Sequence, residues 1–584
     1  MKITRSKLFN TIVILITICA VGILGCGEEW LDIKPKGTIA FEDNLDAAGA
    51  ERLAMAAYAA LGNGGEYSNV ADWIWGSVRS DDAYKGGAGT GDQTNVDRFE
   101  RFFPTVDQGY IQNVWIWDYE WIERANLALE VMGGLTSAEY PLKAQREAEM
   151  RFLRAHAYFK LIILYKNVPW IDETTEDVKL VSNRDLTRDQ LFDKIAADFQ
   201  AGIDVLPDVQ SQVGRASRIA AAAYLAKTRL YQAFEQDENN NMTNINTSRL
   251  NEVVTLTDMV INSGKHALSP DIAENFLLAF ENGPESVFAV QYSYQDGTER
   301  GGRVDWGHNL NYSMATPYGC CWFHIPSQNL VNAHRTDADG LPLLDTFDDI
   351  SQLTSPIQDY QGFFDEFFDT YTVDPRIDHT AGIPGHPFKY DPNFLYQVSF
   401  ARAPETYGPL SVMREIGHFD DPSFTPNGSR HGTATNQDFI RYADVLLWKA
   451  EALIELGRQT EALPLINMIR ARAKNSTGRT KLADGSDPSN YLIEEYTSFT
   501  DQAHARKALR FERRLEFATE SPRFFDLVRW GTVDAVMNAY FTTESSRRTY
   551  LQGTTFRKNK DEYMPIPQAE IVLSEGLYQQ NPGY

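Results

Sequence analysis

Seven aromatic side chains lie in polar, glycine-rich stretches of the chain rather than on a helical stripe. They are Trp73, Trp75, Tyr84, Trp306, Tyr312, Tyr318 and Trp322. An exposed aromatic face packs well on the flat C–H face of a sugar ring, and the nearby His308, Asn309 and Asn311 can hydrogen-bond to hydroxyl groups. These seven residues are therefore the candidate ligand-binding residues, with packing inside the core as the alternative for each ring.

Catalytic motifs are missing from the sequence. No H-E-x-x-H, G-x-S-x-G or P-loop pattern occurs. Asp81 and Asp82 are acids of the kind a glycosidase uses, but adjacent residues normally point apart. Asp337-Ala-Asp339-Gly340 places its glycine too early for an EF-hand and reads as a turn. We predict a binding protein rather than an enzyme, with no catalytic residue, no metal site and no cofactor.

The first 25 residues have the pattern of a secretory signal. Lys2, Arg5 and Lys7 precede a mostly apolar run from Leu8 to Leu24. The run ends in Ile23-Leu24-Gly25-Cys26, which resembles a lipobox, so we predict that residues 1–25 are removed and that Cys26 carries the lipid. A retained signal anchor is the alternative, because the run is about as long as a minimal membrane span.

The residues after Cys26 and the overall charge bear on location and partners. Gly27-Glu28-Glu29 resembles the export signal of lipoproteins on the outer face of the outer membrane. Losing the signal removes three positive charges and no negative ones, which changes the formal net charge from -25 to -28. So acidic a protein is not expected to bind nucleic acid or anionic lipid.

The remaining cysteines are the adjacent pair Cys320 and Cys321. Two neighbours cannot staple a large fold or form a zinc site alone. A vicinal disulfide and a pair of small loop residues both remain open from the sequence. Stability must therefore come from the core, for which the 43% hydrophobic content of the chain is ample.

Apolar residues recur at helical spacing along most of the chain. From Phe439 to Gly457 they fall at i, i+3, i+4 and i+7, and a partner helix follows from Thr460 to Ala473. This pair has the dimensions of a tetratricopeptide unit. Further helices are predicted at 44–61, 112–132, 142–165, 187–206, 217–234, 250–263 and 503–519. At least three such pairs are enough for a small solenoid.

The region from about 270 to 436 differs in composition. It is rich in Gly, Pro, Asp and aromatic residues, and short runs such as 287–292 alternate like strands. We predict a mostly α fold in which residues 26–584 form one body. In it, tetratricopeptide-like helix pairs at about 40–265 and 437–535 form the scaffold, and the insertion at about 270–436 faces the ligand. The asparagine-rich stretch from Glu235 to Thr247 is predicted to be a loop.

Several segments, in order along the chain, resemble the SusD/RagB family of outer-membrane nutrient-uptake lipoproteins. They are Trp30-Leu31-Asp32 with Pro35, Glu149–Lys160 with Leu164-Tyr165 and Val168-Pro169, Arg441–Leu447 with Ala450-Glu451-Ala452, Glu512–Ala518 with Arg523–Gly531, and the closing Met564–Pro567 and Gln580–Tyr584. The stretches 235–247 and 300–430 follow no family pattern that we can place. Within the matching segments, Arg513, Arg514, Glu516, Arg523 and Asp526 are predicted to be structural ion pairs rather than a catalytic cluster.

The resemblance implies a non-catalytic, lipid-anchored protein that captures an oligosaccharide at the cell surface. It also implies a partner, a SusC-like TonB-dependent outer-membrane transporter to which the nutrient is delivered. The alternatives are the same architecture binding peptides or another nutrient, an envelope glycoside hydrolase, and a scaffold protein without a ligand.

Overall fold

The computed structural model describes residues 45–62, 72–297, 302–427 and 430–584. The predicted signal peptide, Cys26, the acidic residues after it and the Trp30–Pro35 segment lie outside the described residues. Among the described residues, no helix is long and apolar enough to cross a membrane.

Eight long helices form the scaffold of the fold. They are α1 (Ala47–Ala60), α3 (Gly109–Gly133), α4 (Lys143–Tyr165), α5 (Arg188–Val205), α6 (Arg218–Ala233), α7 (Thr247–Asn262), α12 (Tyr442–Glu455) and α13 (Gln459–Asn475), with the short α2 (Thr94–Glu100) before α3. Local sequence sets their starts. At α6, for example, the side chain of Ser217 accepts a hydrogen bond from the Ala220 amide at 3.1 Å.

The scaffold helices pack in series. α1 packs on α3, and from α3 onward each long helix packs on the next as far as α7. α7 then packs on α12, so the stack continues across the insertion, and α12 packs on α13 and on α14 (Gln502–Phe517). Stacked helix pairs bury a continuous apolar core between neighbours. The mostly helical, tetratricopeptide-like fold class is therefore confirmed, whereas the division into domains stays a prediction.

Strands are short and none of those described exceeds five residues. They form two-stranded antiparallel ladders. The strands are β1 (Ala83–Gly86), β2 (Phe234–Gln236), β3 (Met242–Ile245), β4 (Ser286–Val290), β5 (Ser293–Tyr294), β6 (Gly302–Arg303), β7 (Phe323–Pro326), β8 (Ala381–Gly382), β9 (Pro387–Phe388), β10 (Asp391–Leu395), β11 (Ser411–Val412), β12 (Thr425–Asn427), β13 (Arg430–Gly432) and β14 (Gln437–Arg441).

One ladder holds the insertion at its base. β4 pairs with β14, from Val290 opposite Gln437 to Ser286 opposite Arg441, so the chain leaves and re-enters the scaffold at a single place. Between these strands lie α8 (Gln328–Ala333), α9 (Tyr360–Thr370), α10 (Ile377–Thr380) and α11 (Pro404–Tyr407). After α14 the chain continues into α15 (Arg523–Arg529), α16 (Val533–Arg547) and α17 (Gln568–Leu573).

The prediction of a loop from Glu235 to Thr247 is wrong. β2 and β3 form a hairpin there, because the Asp237 side chain accepts a hydrogen bond from the Asn241 amide at 2.9 Å and closes the turn. Asn240 adopts a left-handed conformation with φ 68°, which asparagine tolerates well. The polar, asparagine-rich composition that suggested an irregular loop thus belongs to the turn of a hairpin.

Buried ion pairs attach the later helices to the core, as the sequence predicted. Arg513 donates to Asp526 at 2.9 Å, Arg514 to Asp82 at 2.8 Å and Arg523 to Asp81 at 2.8 Å. Asp81 and Asp82 are therefore buried partners of arginines and not a glycosidase pair. Asp337 caps a turn, accepting from the Leu341 amide at 2.9 Å, while Gly340 has φ +75°.

Candidate ligand-binding site

Six of the seven aromatic candidates are buried, so the expectation that they present open faces is wrong for them. They are Trp73, Trp75, Tyr84, Tyr312, Tyr318 and Trp322, none more than 2% exposed. Trp73 donates to the Gly307 carbonyl at 3.1 Å and Trp322 to the Leu410 carbonyl at 2.8 Å, whereas the buried indole N–H of Trp75 makes no hydrogen bond among the described residues. A ring without exposed surface has no face to offer a sugar in this structure.

The polar residues predicted to accompany these rings are buried as well. His308 is 2% exposed, Asn309 5% and Asn311 0%. The glycine-rich composition of these stretches suggested exposed loops, but glycines also occur here where two backbone segments pack closely. At Gly86, for example, a Cβ would lie 2.4 Å from the Trp322 carbonyl oxygen, so β1 approaches the backbone before β7 too closely for a side chain.

Trp306 is the candidate that keeps an accessible ring. It is half-buried and packs partly against the main core. Asp305, just before it, pairs with Thr433 in a β-bridge, and a Cβ on Gly432 would lie 3.3 Å from the Trp306 ring. The segment 305–308 and the β12–β13 hairpin therefore hold the indole on the irregular side of the molecule.

Four partly exposed phenylalanines form an aromatic rim that the sequence interpretation missed. They cover a second, smaller core that contains Tyr312 and Tyr318, and they are Phe394, Phe400, Phe419 and Phe424. The rings contact one another, with 5.2 Å between the centroids of Phe394 and Phe419 and 5.5 Å between those of Phe394 and Phe400. The repeated occurrence of phenylalanine in this non-helical, proline-rich part of the insertion was the sequence feature that could have indicated the rim.

A cavity of about 160 Å³ lies between the scaffold and the insertion. α4, α6, α12 and α14 form one wall, and the segments around 305–308, 414–416 and 433–441 form the other. Charged and aromatic side chains both contribute to its lining. Since a water molecule needs roughly 10–15 Å³ by this measure, the cavity has room for about ten waters or a small organic molecule.

A buried chain of polar groups forms part of the cavity wall, in the segments that contain Asp305, His308 and Glu415. His308 lies 2.6 Å from Asp305 and 3.3 Å from Glu415, and Glu415 lies 2.9 Å from His324. The His324 ring stacks on Trp73 with centroids 5.5 Å apart. Burial opposes the charged form of His308, but the Glu415 and Asp305 carboxylates outweigh it and raise its pKa well above 6.5.

The raised pKa of His308 predicts a pH-dependent stability. Above pH 6.5, the ordinary pKa of histidine, the folded protein keeps a proton that the unfolded chain loses. The free energy of unfolding should therefore fall by about 1.4 kcal/mol per pH unit until the raised pKa is passed. Denaturant titrations at several pH values between 6.5 and 8.5 give the free energy of unfolding at each pH. This free energy should fall less steeply with pH for His308→Gln than for the wild type, and an equal dependence on pH would contradict the assignment.

The adjacent Cys320 and Cys321 form a disulfide, which settles the alternative left open by the sequence. Cys320 is half-buried and Cys321 is buried, in a loop whose Thr316 and Gly319 are exposed.

The described residues contain no group of three or more histidines, cysteines or acids arranged to hold a metal ion.

Two family models together match most of the chain. The model described as "SusD family" matches residues 284–584, and the one described as "Starch-binding associating with outer membrane" matches residues 29–230. The first match alone covers more than half of the sequence and includes the insertion and the later helices.

Relatives of similar sequence and solved structures of similar fold agree with these matches. The chain is 24% identical to SusD-like protein P2 of Formosa agariphila over 98% of both chains. Its fold is similar to that of a SusD homolog from Bacteroides thetaiotaomicron, with 18% identity, a TM-score of 0.67 and coverage of 94% and 100% of the two chains. It is also similar to surface glycan-binding protein A of that organism in complex with laminarihexaose, with 20% identity, a TM-score of 0.63 and coverage of 91% and 99%. The chain belongs to the SusD family.

Proposed function

We propose that this protein captures an oligosaccharide at the cell surface on the irregular face that carries Trp306 and the aromatic rim. The observation that carries the proposal is the accessible indole of Trp306, held on the insertion by the β12–β13 hairpin. A half-buried aromatic ring is rigid, and its free face can pack on a sugar without a large loss of conformational entropy. The sugar complex of one structural relative supports a glycan over a peptide as the ligand.

The proposal includes an anchor, a place and a partner. Lipid on Cys26 holds the protein at the outer membrane, the acidic residues after it direct it outward, and a TonB-dependent transporter of the SusC type receives the glycan. The outer-membrane description of the family model that matches residues 29–230 supports this placement. The protein acts by binding and leaves the glycan intact. Asp81 and Asp82, the adjacent acids considered as a glycosidase pair, instead form buried ion pairs with arginines.

A tryptophan substitution tests the binding face. Trp306→Ala should weaken binding about tenfold, since losing one aromatic contact removes roughly 0.5–1.5 kcal/mol beyond its area. Affinity electrophoresis of the purified protein against laminarin, starch and other polysaccharides first identifies a ligand. Isothermal titration calorimetry with the matching oligosaccharide then compares the variants.

Trp117→Ala is the matched control, because Trp117 is also a half-buried tryptophan but lies on helix α3 of the scaffold. It should bind as the wild type does. Binding that survives Trp306→Ala and is lost in Trp117→Ala would place the ligand on the scaffold and contradict the proposal. Hydrolysis of the bound oligosaccharide, detected by chromatography, would contradict the non-catalytic role.

A further inference from the structure

Lys227 places a cation inside the cavity without an anionic partner. Its ammonium lies 5.2 Å from the ring centroid of Phe159 and 5.9 Å from those of Tyr224 and Trp448. No acceptor among the described residues lies within hydrogen-bonding or ion-pairing distance of its Nζ. Aromatic faces stabilise a cation but leave its N–H donors unused.

The two carboxylates that act on Lys227 from a distance are engaged elsewhere. Asp72 pairs with Lys160 at 2.9 Å, near the more exposed part of the lining. Asp444 accepts a hydrogen bond from the Arg441 amide at 3.2 Å. Burial also raises the pKa of Asp438, another lining residue, to about 7 and that of Asp444 to about 6, so both carboxyls are protonated more readily than exposed aspartates, and an anion in the cavity meets less negative charge as the pH falls below 7.

Other polar atoms of the lining residues also lack partners. His156 Nε2 and Gln437 Oε1 are buried and make no hydrogen bond in the described structure. Arg513 Nη1 makes none either, although it lies 3.9 Å from Asp444 Oδ1 in a long ion pair. Leaving such groups without a partner costs roughly 1–3 kcal/mol each. This concentration of polar atoms without a hydrogen bond around one cavity, beside the aromatic walls, is the pattern of a binding site for a small polar molecule.

We infer that this cavity binds a small sugar acid, with the carboxylate on Lys227 and the ring against Trp448. By the measure used above, the cavity volume of about 160 Å³ has room for about eleven to sixteen water-sized groups, a range that includes the number of non-hydrogen atoms in a monosaccharide or its acid. One carboxylate balances the Lys227 ammonium, which has no anionic partner among the described residues, and the polar atoms without a hydrogen bond suit hydroxyl groups. The site lies inside the molecule, goes beyond the proposed surface function and does not depend on it.

Calorimetry with glucuronate tests the inference, with glucose as the uncharged probe. Glucuronate should bind the wild-type protein with a Kd of about 1 mM or below, and glucose at least tenfold more weakly, because a charge-assisted hydrogen bond contributes roughly 1.5–3 kcal/mol. Lys227→Met keeps the length of the side chain and should weaken glucuronate binding about tenfold or more.

Lys449→Met is the matched control, because it removes the same charge from an ion pair with Asp258 outside the cavity. It should bind glucuronate as the wild type does. No binding of glucuronate by the wild type at about 10 mM, equal binding of glucose, or unchanged binding by Lys227→Met would each overturn the inference.

A second measurement uses the wild-type chain and needs no folded variant. Burial lowers the pKa of Lys227, which increases the neutral amine that reacts with cyanate. Peptide mass spectrometry after cyanate treatment should show that glucuronate slows the carbamylation of Lys227 and leaves that of Lys449 unchanged. Equal rates at Lys227 with and without glucuronate would overturn the inference.

Discussion

Glu516→Gln is expected to destabilise the protein by about 3–5 kcal/mol, although glutamine has nearly the same shape. The Glu516 carboxylate is fully buried and lies 3.2 Å from Arg376 and 3.0 Å from Arg441, and it also pairs with Arg472. Removing its charge leaves three guanidinium groups buried with fewer counter-charges. Guanidinium chloride titration should show a lower midpoint with an unchanged slope.

The location of this carboxylate explains why the effect is large. Arg376 belongs to the insertion, Arg441 ends strand β14 and Arg472 lies in α13, so one residue of α14 joins three parts of the fold. Burial opposes the charge on Glu516, but the arginines outweigh it and hold its pKa well below 4.5. Its stabilising contribution is therefore complete above about pH 4.5 and is lost as the pH falls further.

Glu494→Gln is the control, because Glu494 pairs with Lys474 at 2.6 Å while both side chains are about half exposed. Such a surface pair contributes less than about 1 kcal/mol. A Glu516→Gln variant no less stable than Glu494→Gln would show that the buried network does not hold the insertion on the scaffold.

The scaffold could be predicted from the sequence because its information is local. The apolar spacing from Phe439 to Gly457 and the Ser217 cap each specify a helix within one short window, and the structure places helices α12 and α6 there. The first of these was predicted to begin too early, since residues 437–441 form β14. That strand depends on pairing with β4, about 150 residues earlier, which no local pattern shows.

The candidate site could be predicted only in part, because exposure depends on contacts between distant segments. Trp73 and Trp322 lie in polar surroundings like those of Trp306, but the Gly307 and Leu410 carbonyls accept their N–H groups inside the core. The cavity around Lys227 brings together α4, α6, α12, α14 and the insertion. A lysine on a helix normally reads as a solvent-exposed charge, so no sequence signal distinguished it.

Gly76→Ala should destabilise the protein by about 3 kcal/mol or more through steric overlap alone. Gly76 is buried in the π-helical turn Trp73–Val78, and a Cβ there would lie 1.8 Å from the Ser521 carbonyl oxygen and 2.6 Å from its carbon. The obstacle is backbone, which a rotamer change cannot move. The two segments must separate, and the hydroxyl contact of 3.1 Å between Ser77 and Ser521 would be lost with them.

Gly133→Ala isolates this steric term. Gly133 ends helix α3, and a Cβ added there would have no non-local atom within 4 Å, so alanine should be neutral or stabilise by up to about 1 kcal/mol. Thermal melts of both variants provide the comparison. Because Trp73 and Trp75 lie in the same turn just before Gly76, a shifted turn should also change the tryptophan fluorescence of Gly76→Ala. A melting temperature equal to that of Gly133→Ala would mean that the turn does not pack against Ser521 in solution, and the buried assignment of both indoles would fall with it.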